Sequence, residues 1–328
     1  MKLDDCSALI TGASSGIGRE FARQLANHAR SIVLVARRSE RLADLRDELL
    51  NRNPNLEVHV RAVDLADKAQ IELLIDSLAR DKIDVDLLVN NAGLGDSGPF
   101  ATSDPARNEQ MALVNMVALT SLTRYLLPHM IAKRRGGILN VSSSAGFLPI
   151  PGSAVYAATK AYVTSFSEAL RFEVRGIGVS VCALCPGPVH TEFQEVASRP
   201  GRKVNPGPGP DFLQVSVEQV VREALAALEA HRPLVIPGFA MKLAMFLTRL
   251  MPMAVVRLIL RLSPARGCAG VADARETHLT RRSRATAADS ERGNHRELFH
   301  EIKVTYHSGQ GVLRSRKLSH LTPLIGVR

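Results

Sequence analysis

The chain has 328 residues, 45% of them hydrophobic and 4% aromatic, with no Trp and a formal net charge of +10. This length and apolar content suit one large α/β domain with an extension, or two modest domains, either able to bury a substantial core. The charge does not argue for nucleic-acid binding, because residues 263–328 alone carry 12 Lys/Arg against 6 Asp/Glu and no aromatic platform for bases is evident.

The first element is a short apolar strand, Cys6-Ser-Ala-Leu-Ile-Thr11, followed by Gly12-Ala-Ser-Ser-Gly16-Ile-Gly18 and a helical pattern over 19–27. A strand, a glycine-rich turn and a helix start make an anion site, in which backbone N–H groups and the helix dipole hold a pyrophosphate and glycines let it come close. The spacing is G-x-x-x-G-x-G and not the commoner G-x-G-x-x-G. The second strand, Ser31-Ile-Val-Leu-Val-Ala36, ends at Arg37-Arg38 with no carboxylate, which favours a ribose 2′-phosphate over a free 2′-hydroxyl; a solvated helix start suits Arg38 better than Arg37.

A helix over 39–50, a strand over 56–63, a helix over 68–80 and the strand Asp86-Leu-Leu-Val-Asn90 continue the alternation. Such alternation implies a parallel sheet covered by helices on both faces, with ligands at the carboxyl ends of the strands. Thr11, Arg37, Asp64, Asn90 and Asn91 fall there. Asp64 can accept from an adenine amino group or cap the following helix, and the sequence leaves both open.

A long helical segment over 105–133 carries Asn115 in apolar surroundings, either as a satisfied core amide or as a holder of water. The strand Ile138-Leu-Asn-Val141 ends in three serines, 142–144, and a proline-containing loop leads into a helix that starts near Tyr156. Tyr156 and Lys160 are four apart and share a helix face, where the ammonium would favour the phenolate and lower the tyrosine pKa toward working pH. Alone, that spacing is common on exposed helices. A further strand, Val179-Ser-Val-Cys-Ala-Leu184, runs into Cys185-Pro186-Gly187-Pro188-Val189-His190-Thr191. Cys182 and Cys185 lie three apart in a strand pattern, so they read as core cysteines and not a redox or zinc pair. Cys6 and Cys268 add no disulfide framework, and with no apolar run at the N-terminus a reducing, cytoplasmic setting is expected.

Taken together, Thr11-Gly-Ala-Ser-Ser-Gly-Ile-Gly18, Asn90-Asn-Ala-Gly93, Asn115, Tyr156-x-x-x-Lys160 and Pro186-Gly187 resemble the short-chain dehydrogenase/reductase family over roughly residues 5 to 240. The resemblance implies a doubly wound (Rossmann) parallel sheet and hydride transfer between NADP(H) and a carbonyl or hydroxyl carbon. Ser143, thirteen residues before Tyr156, would hold the substrate oxygen, Tyr156 would act as general acid and base, Lys160 would support it, and Asn115 would position a linking water. The implied cofactor contacts are Gly12, Ser14, Ser15, Gly16, Ile17 and Gly18 on the first turn, Arg37, Asp64 and Leu65 at the adenosine, and Asn91, Ala92 and Gly93 after the fourth strand. Tyr156, Lys160, Pro186, Gly187, Val189 and Thr191 would meet the nicotinamide end. A homo-oligomer, dimer or tetramer, is also implied.

Beyond the strand ends, Leu94, Phe147, Leu148 and Ile150 offer an apolar substrate pocket without a charge, which suits a lipid-like carbonyl. Residues 192–214 are rich in Pro and Gly, as in Asn205-Pro-Gly-Pro-Gly-Pro210, and read as a mobile loop over the substrate. The chain divides into a catalytic and cofactor-binding domain over 1–238, an amphipathic helical extension over 239–262, and a basic, disordered tail over 263–328. In the extension Lys242, Arg249, Arg257 and Arg261 fall within about 120° at 100° per residue, and Pro252 should kink it. It lies on a membrane surface or packs over the active site or a partner subunit. No metal is expected. Two other function classes stay open: a nucleotide-sensing binding protein without turnover, and a membrane-tethered scaffold built on 239–262.

Overall fold

The structure, a computed structural model, describes residues 2–199 and 214–262, so the expectations for 200–213 and 263–328 lie outside the described residues. Seven strands form one parallel sheet: β1 (Ser7–Thr11), β2 (Ser31–Ala36), β3 (Glu57–Ala62), β4 (Leu87–Asn90), β5 (Gly136–Val141), β6 (Val179–Leu184) and β7 (Leu234–Val235), in spatial order β3-β2-β1-β4-β5-β6-β7. Strands β1, β2, β4, β5 and β6 are buried throughout, which is why they read as unbroken apolar runs instead of alternating ones.

Alternate residues feed two separate cores. Ala8, Ile10, Ile32 and Leu34 pack against Phe21 and Leu25 of α1 (Gly16–Leu25), Leu42, Leu45 and Leu49 of α2 (Ser39–Arg52) and, further along the chain, Val220 and Leu228 of the helix Val217–Glu229. On the other face Leu9, Val33, Leu88 and Ile138 meet Ile71, Leu74 and Leu78 of α3 (Lys68–Arg80) together with Met111, Leu122 and Leu126. Each fully buried Leu or Phe contributes roughly 1.5–3 kcal/mol, so the sheet is held from both sides. The order of the strands reverses between β1 and β4, and that point opens the cleft.

The 105–133 segment is helical throughout but changes pitch: α4 (Pro105–Ala112), a π-helical turn over Leu113–Ala118, then α5 (Leu119–Lys133). Asn115 sits in the widened turn, where one extra residue per turn re-aims its side chain. The Tyr156 helix is α6 (Ala154–Glu173), and the short α7 (Phe193–Ala197) follows β6. Helix α8 (Val217–Glu229) begins at Ser216, whose side chain accepts from the Gln219 N–H. Asp64 does not cap α3; Asp67 does, accepting from the Ala69 and Gln70 N–H groups. The extension is two helices, α9 (Phe239–Leu250) and α10 (Met253–Leu262), bent by 107° at Pro252. The bend is the one Pro252 predicted, and it breaks the single arc of four cations into two pairs.

Candidate active site

A cleft of about 650 Å³ runs along the carboxyl ends of the strands. All of Gly12, Ser14, Ser15, Gly16 and Ile17 border it, as do Arg37, Asp64, Leu65, Asn91, Ala92, Gly93, Ser143, Tyr156, Lys160, Pro186, Gly187, Val189 and Thr191. Two expected site residues stand just behind the wall. Gly18 packs under the turn, where a Cβ would lie 2.3 Å from the Gly12 carbonyl oxygen, so only glycine lets α1 start so close to β1. Asn115 is 1% exposed and holds the wall in place.

The first turn of α1 suits a phosphate. Ser15 occupies its N-cap position in extended conformation but makes no cap hydrogen bond, unlike Asp67 on α3, Asp104 on α4 and Ser216 on α8. The orphan N–H groups and the positive end of the helix dipole therefore face the cleft. Gly12 has φ +68, and a Cβ there would sit 2.8 Å from Asn91 Nδ2. That amide donates to the carbonyls of Thr11 (2.9 Å) and Gly12 (3.3 Å), while Thr11 Oγ1 accepts from the N–H groups of Asn91 and Ala92. Asn91 thus ties the end of β4 to the glycine turn. These residues fit a dinucleotide.

At the other end of the cleft the three serines have separate tasks. Ser142 Oγ donates to the Lys160 carbonyl at 2.7 Å, and the Ser144 N–H donates to the Pro186 carbonyl. The Ser143 hydroxyl is hydrogen-bonded to the Tyr156 side chain and also accepts from the Ala145 N–H. Tyr156 is pushed above its ordinary pKa by burial, with the Ser143 hydrogen bond pulling the other way. Lys160 is 4% exposed, donates to the Val141 carbonyl at 2.8 Å, and stands 5.8 Å from the centre of the Tyr156 ring. Burial pulls it from 10.5 down to about 8. Asn115 Nδ2 donates to the Leu94 carbonyl and to Thr159 Oγ1, each at 2.9 Å, and its Oδ1 accepts from the Leu94 N–H at 2.8 Å. Both amide hydrogens are spent on protein, so a water can reach this side chain only through Oδ1.

Several residues here escaped the sequence reading. Arg38 is no mere helix start: its guanidinium donates to Ser14 and Ser15 on the glycine turn and pairs with Glu192 at 3.0 Å, which Arg41 also holds. Those arginines keep the Glu192 carboxyl below its ordinary value. Arg37 makes no hydrogen bond or ion pair among the described residues and leans over the cleft free. Phe193 lies 5.5 Å from the Tyr156 ring, and Met241, Ala244 and Met245 of α9 close the end of the cleft beside it. Leu94, Leu148 and Ile150 line that end, whereas Phe147 does not border the cleft and packs against the small core of Ala183, Cys185, Ile236 and Met241, beneath Arg249 at 5.4 Å. Among the described residues no His, Cys, Asp and Glu cluster could hold a metal.

A family model described as short chain dehydrogenase matches residues 7–200. Sulfoacetaldehyde reductase 2 of Chromohalobacter salexigens is 41% identical over 187 residues, covering 56% of this chain and 73% of that protein. The NADP-dependent 3-hydroxy acid dehydrogenase YdfG of Escherichia coli is 37% identical over 190 residues, 57% of this chain and 75% of its own. Among solved structures, a short-chain dehydrogenase from Sphingobium yanoikuyae in complex with NADPH superposes with a TM-score of 0.66 at 30% identity, over 80% of this chain and 99% of that one.

Proposed function

Because the chain belongs to the short-chain dehydrogenase family, we propose that it is an oxidoreductase moving a hydride between NADP(H) and the carbonyl or hydroxyl carbon of an apolar substrate. The observation that carries this is the meeting of Ser143, Tyr156 and Lys160 on one wall of a cleft whose other end is the uncapped start of α1. The cofactor supplies the hydride; the protein supplies placement and a proton. Ser143 and Tyr156 hold the substrate oxygen, Tyr156 gives its proton in reduction and takes one in oxidation, and the buried Lys160 ammonium favours the phenolate that reduction leaves behind. Arg37, unpaired at the end of β2, is the group for the 2′-phosphate.

The chemistry of the pocket supports an apolar substrate. Sulfoacetaldehyde and 3-hydroxy acids carry an anionic group, but among the described residues the substrate end has no cation beyond Lys160. Nearby arginines are engaged: Arg107 donates to the carbonyls of Gly95 and Val196, and Arg199 pairs with Asp96 at 2.6 Å. Leu94, Leu148, Ile150, Phe193 and the two methionines of α9 remain. A reducing, cytoplasmic setting accords with three free, buried thiols, Cys6, Cys182 and Cys185, and a homo-oligomer and a peripheral membrane position belong to the same reading. The test is NADPH oxidation with a panel of ketones and aldehydes. Tyr156→Phe should lose turnover by a factor of roughly 10²–10⁴ while still quenching NADPH fluorescence on binding; equal turnover in the variant would sink the mechanism.

A further inference from the structure

Helix α9 has two apolar faces, and only one is covered by the described residues. At about 100° per residue, Met241, Ala244 and Met245 fall in one arc and close the cleft. Phe239, Leu243, Phe246, Leu247 and Leu250 fall in the opposite arc and face outward, with Phe239 82% and Leu250 66% exposed. Past the bend at Pro252, α10 buries only Val256 and presents Val255, Leu258, Ile259 and Leu262. Of the eighteen large hydrophobic side chains exposed among the described residues, eleven belong to 239–262. A patch of that extent on a soluble surface marks an interaction site.

Charge narrows what covers it. Residues 239–262 contain four cations and no Asp or Glu. Lys242 is paired with Glu223 of α8, and Arg249 lies over Phe147, but Arg257 and Arg261 have no partner among the described residues. A second copy meeting this face about a two-fold axis would set cation against cation with no carboxylate to pair them. The segment 263–328, itself carrying 12 Lys/Arg against 6 Asp/Glu, does not complement the face either. An apolar stripe flanked by unpaired arginines fits an anionic lipid surface.

We propose that the outward face of α9 and α10 seats the protein on an anionic bilayer, and that α9 is a wall shared between the lipid and the substrate cleft, so that an apolar carbonyl or alcohol enters from the membrane. The route, though not the docking, rests on the oxidoreductase reading. The test is co-sedimentation of the full chain with vesicles of phosphatidylcholine, with and without phosphatidylglycerol. Wild type pellets with the anionic vesicles and weakly with the neutral ones. Arg257→Gln and Arg261→Gln each weaken binding roughly fivefold, and Leu250→Asp or Leu258→Asp abolishes it with the thermal transition retained. With a long-chain ketone dissolved in the anionic vesicles, Leu250→Asp raises KM at least about tenfold. The docking is overturned if wild type stays in the supernatant with both vesicles, or if it ignores them while Leu250→Asp breaks an oligomer. An unchanged KM overturns the shared wall. NADPH oxidation by wild type with a water-soluble ketone separates these failures from failure of the enzymatic reading.

Discussion

Replacing Lys160 by Met should disable this protein and stabilise it at the same time. Lys160 is 4% exposed and its pKa is drawn from 10.5 to about 8 by burial. At about 1.4 kcal/mol for each pH unit between those values, keeping the ammonium charged costs the folded state about 3 kcal/mol near neutral pH. Methionine fills a similar volume without that cost, and losing the charge-assisted hydrogen bond to the Val141 carbonyl returns about 2 kcal/mol. The net gain is about 1 kcal/mol, or roughly 2–4 °C in Tm for a protein of this size. The pH signature is specific. With a depressed folded-state pKa, the unfolded chain binds more protons between about 8 and 10.5, so wild-type stability rises with pH across that window. The advantage of Lys160→Met should be full below about pH 8 and gone by about 10.5. Urea unfolding of both proteins without cofactor at neutral and alkaline pH measures it, alongside NADPH turnover. A variant less stable than wild type at pH 7, or a gap that stays constant with pH, would refute the reasoning.

Arg37→Asp should lower the NADPH-to-NADH ratio of kcat/KM at least about tenfold, since it trades a charge-assisted contact for a repulsion; an unchanged ratio would remove Arg37 from the 2′-phosphate. Gly18→Ala should abolish NADPH fluorescence quenching and lower Tm, because its Cβ would lie 2.3 Å from the Gly12 oxygen and 2.4 Å from Asn91 Nδ2; binding within a factor of two of wild type would contradict the packing. Asn115→Leu strands the N–H and C=O of Leu94 in a buried site and should cost about 3 kcal/mol in urea unfolding, with a loss under about 1 kcal/mol showing that water replaces the amide.

The sheet was legible because strands buried on both faces must be apolar throughout, as in Ser31–Ala36, and because the glycines at 12, 16 and 18 record positive φ at Gly12 and Gly16 and close backbone approach at Gly12 and Gly18. What the sequence withheld depends on contacts between distant segments. Arg37 and Arg38 are adjacent and alike, yet Arg38 is drawn to Glu192, 154 residues away, while Arg37 is left for the cleft. The π-helical turn at Leu113–Ala118 has no composition of its own; it exists because Asn115 must reach both polar groups of Leu94 and Thr159 on α6. Both apolar faces of α9 are present in its sequence, but which of them meets Tyr156's pocket is decided by the chain path after β7. Phe147 shows the reverse case: an apolar residue in the right loop that packs into the core of Ala183, Cys185 and Ile236, under Arg249, instead of bordering the cleft.

The Tyr156–Lys160 pair exposes the limit of arguing from spacing. Four residues on a helix guarantee a shared face, and from that alone the ammonium should lower the tyrosine pKa. The folded pair shows the opposite balance, because the enclosure that brings the groups together also strips water from both: the phenol is pushed up and the ammonium down. Both shifts favour the same starting state, a protonated Tyr156 that can donate to a developing alkoxide, beside an ammonium that is still largely charged at neutral pH. Once that proton leaves, Ser143 and Lys160 both favour the phenolate in a site where water does not screen them. In the reaction proposed above, desolvation therefore would not oppose the pairing: it would keep the proton in place until the substrate oxygen acquires charge, and it would make the lysine's charge count at that moment.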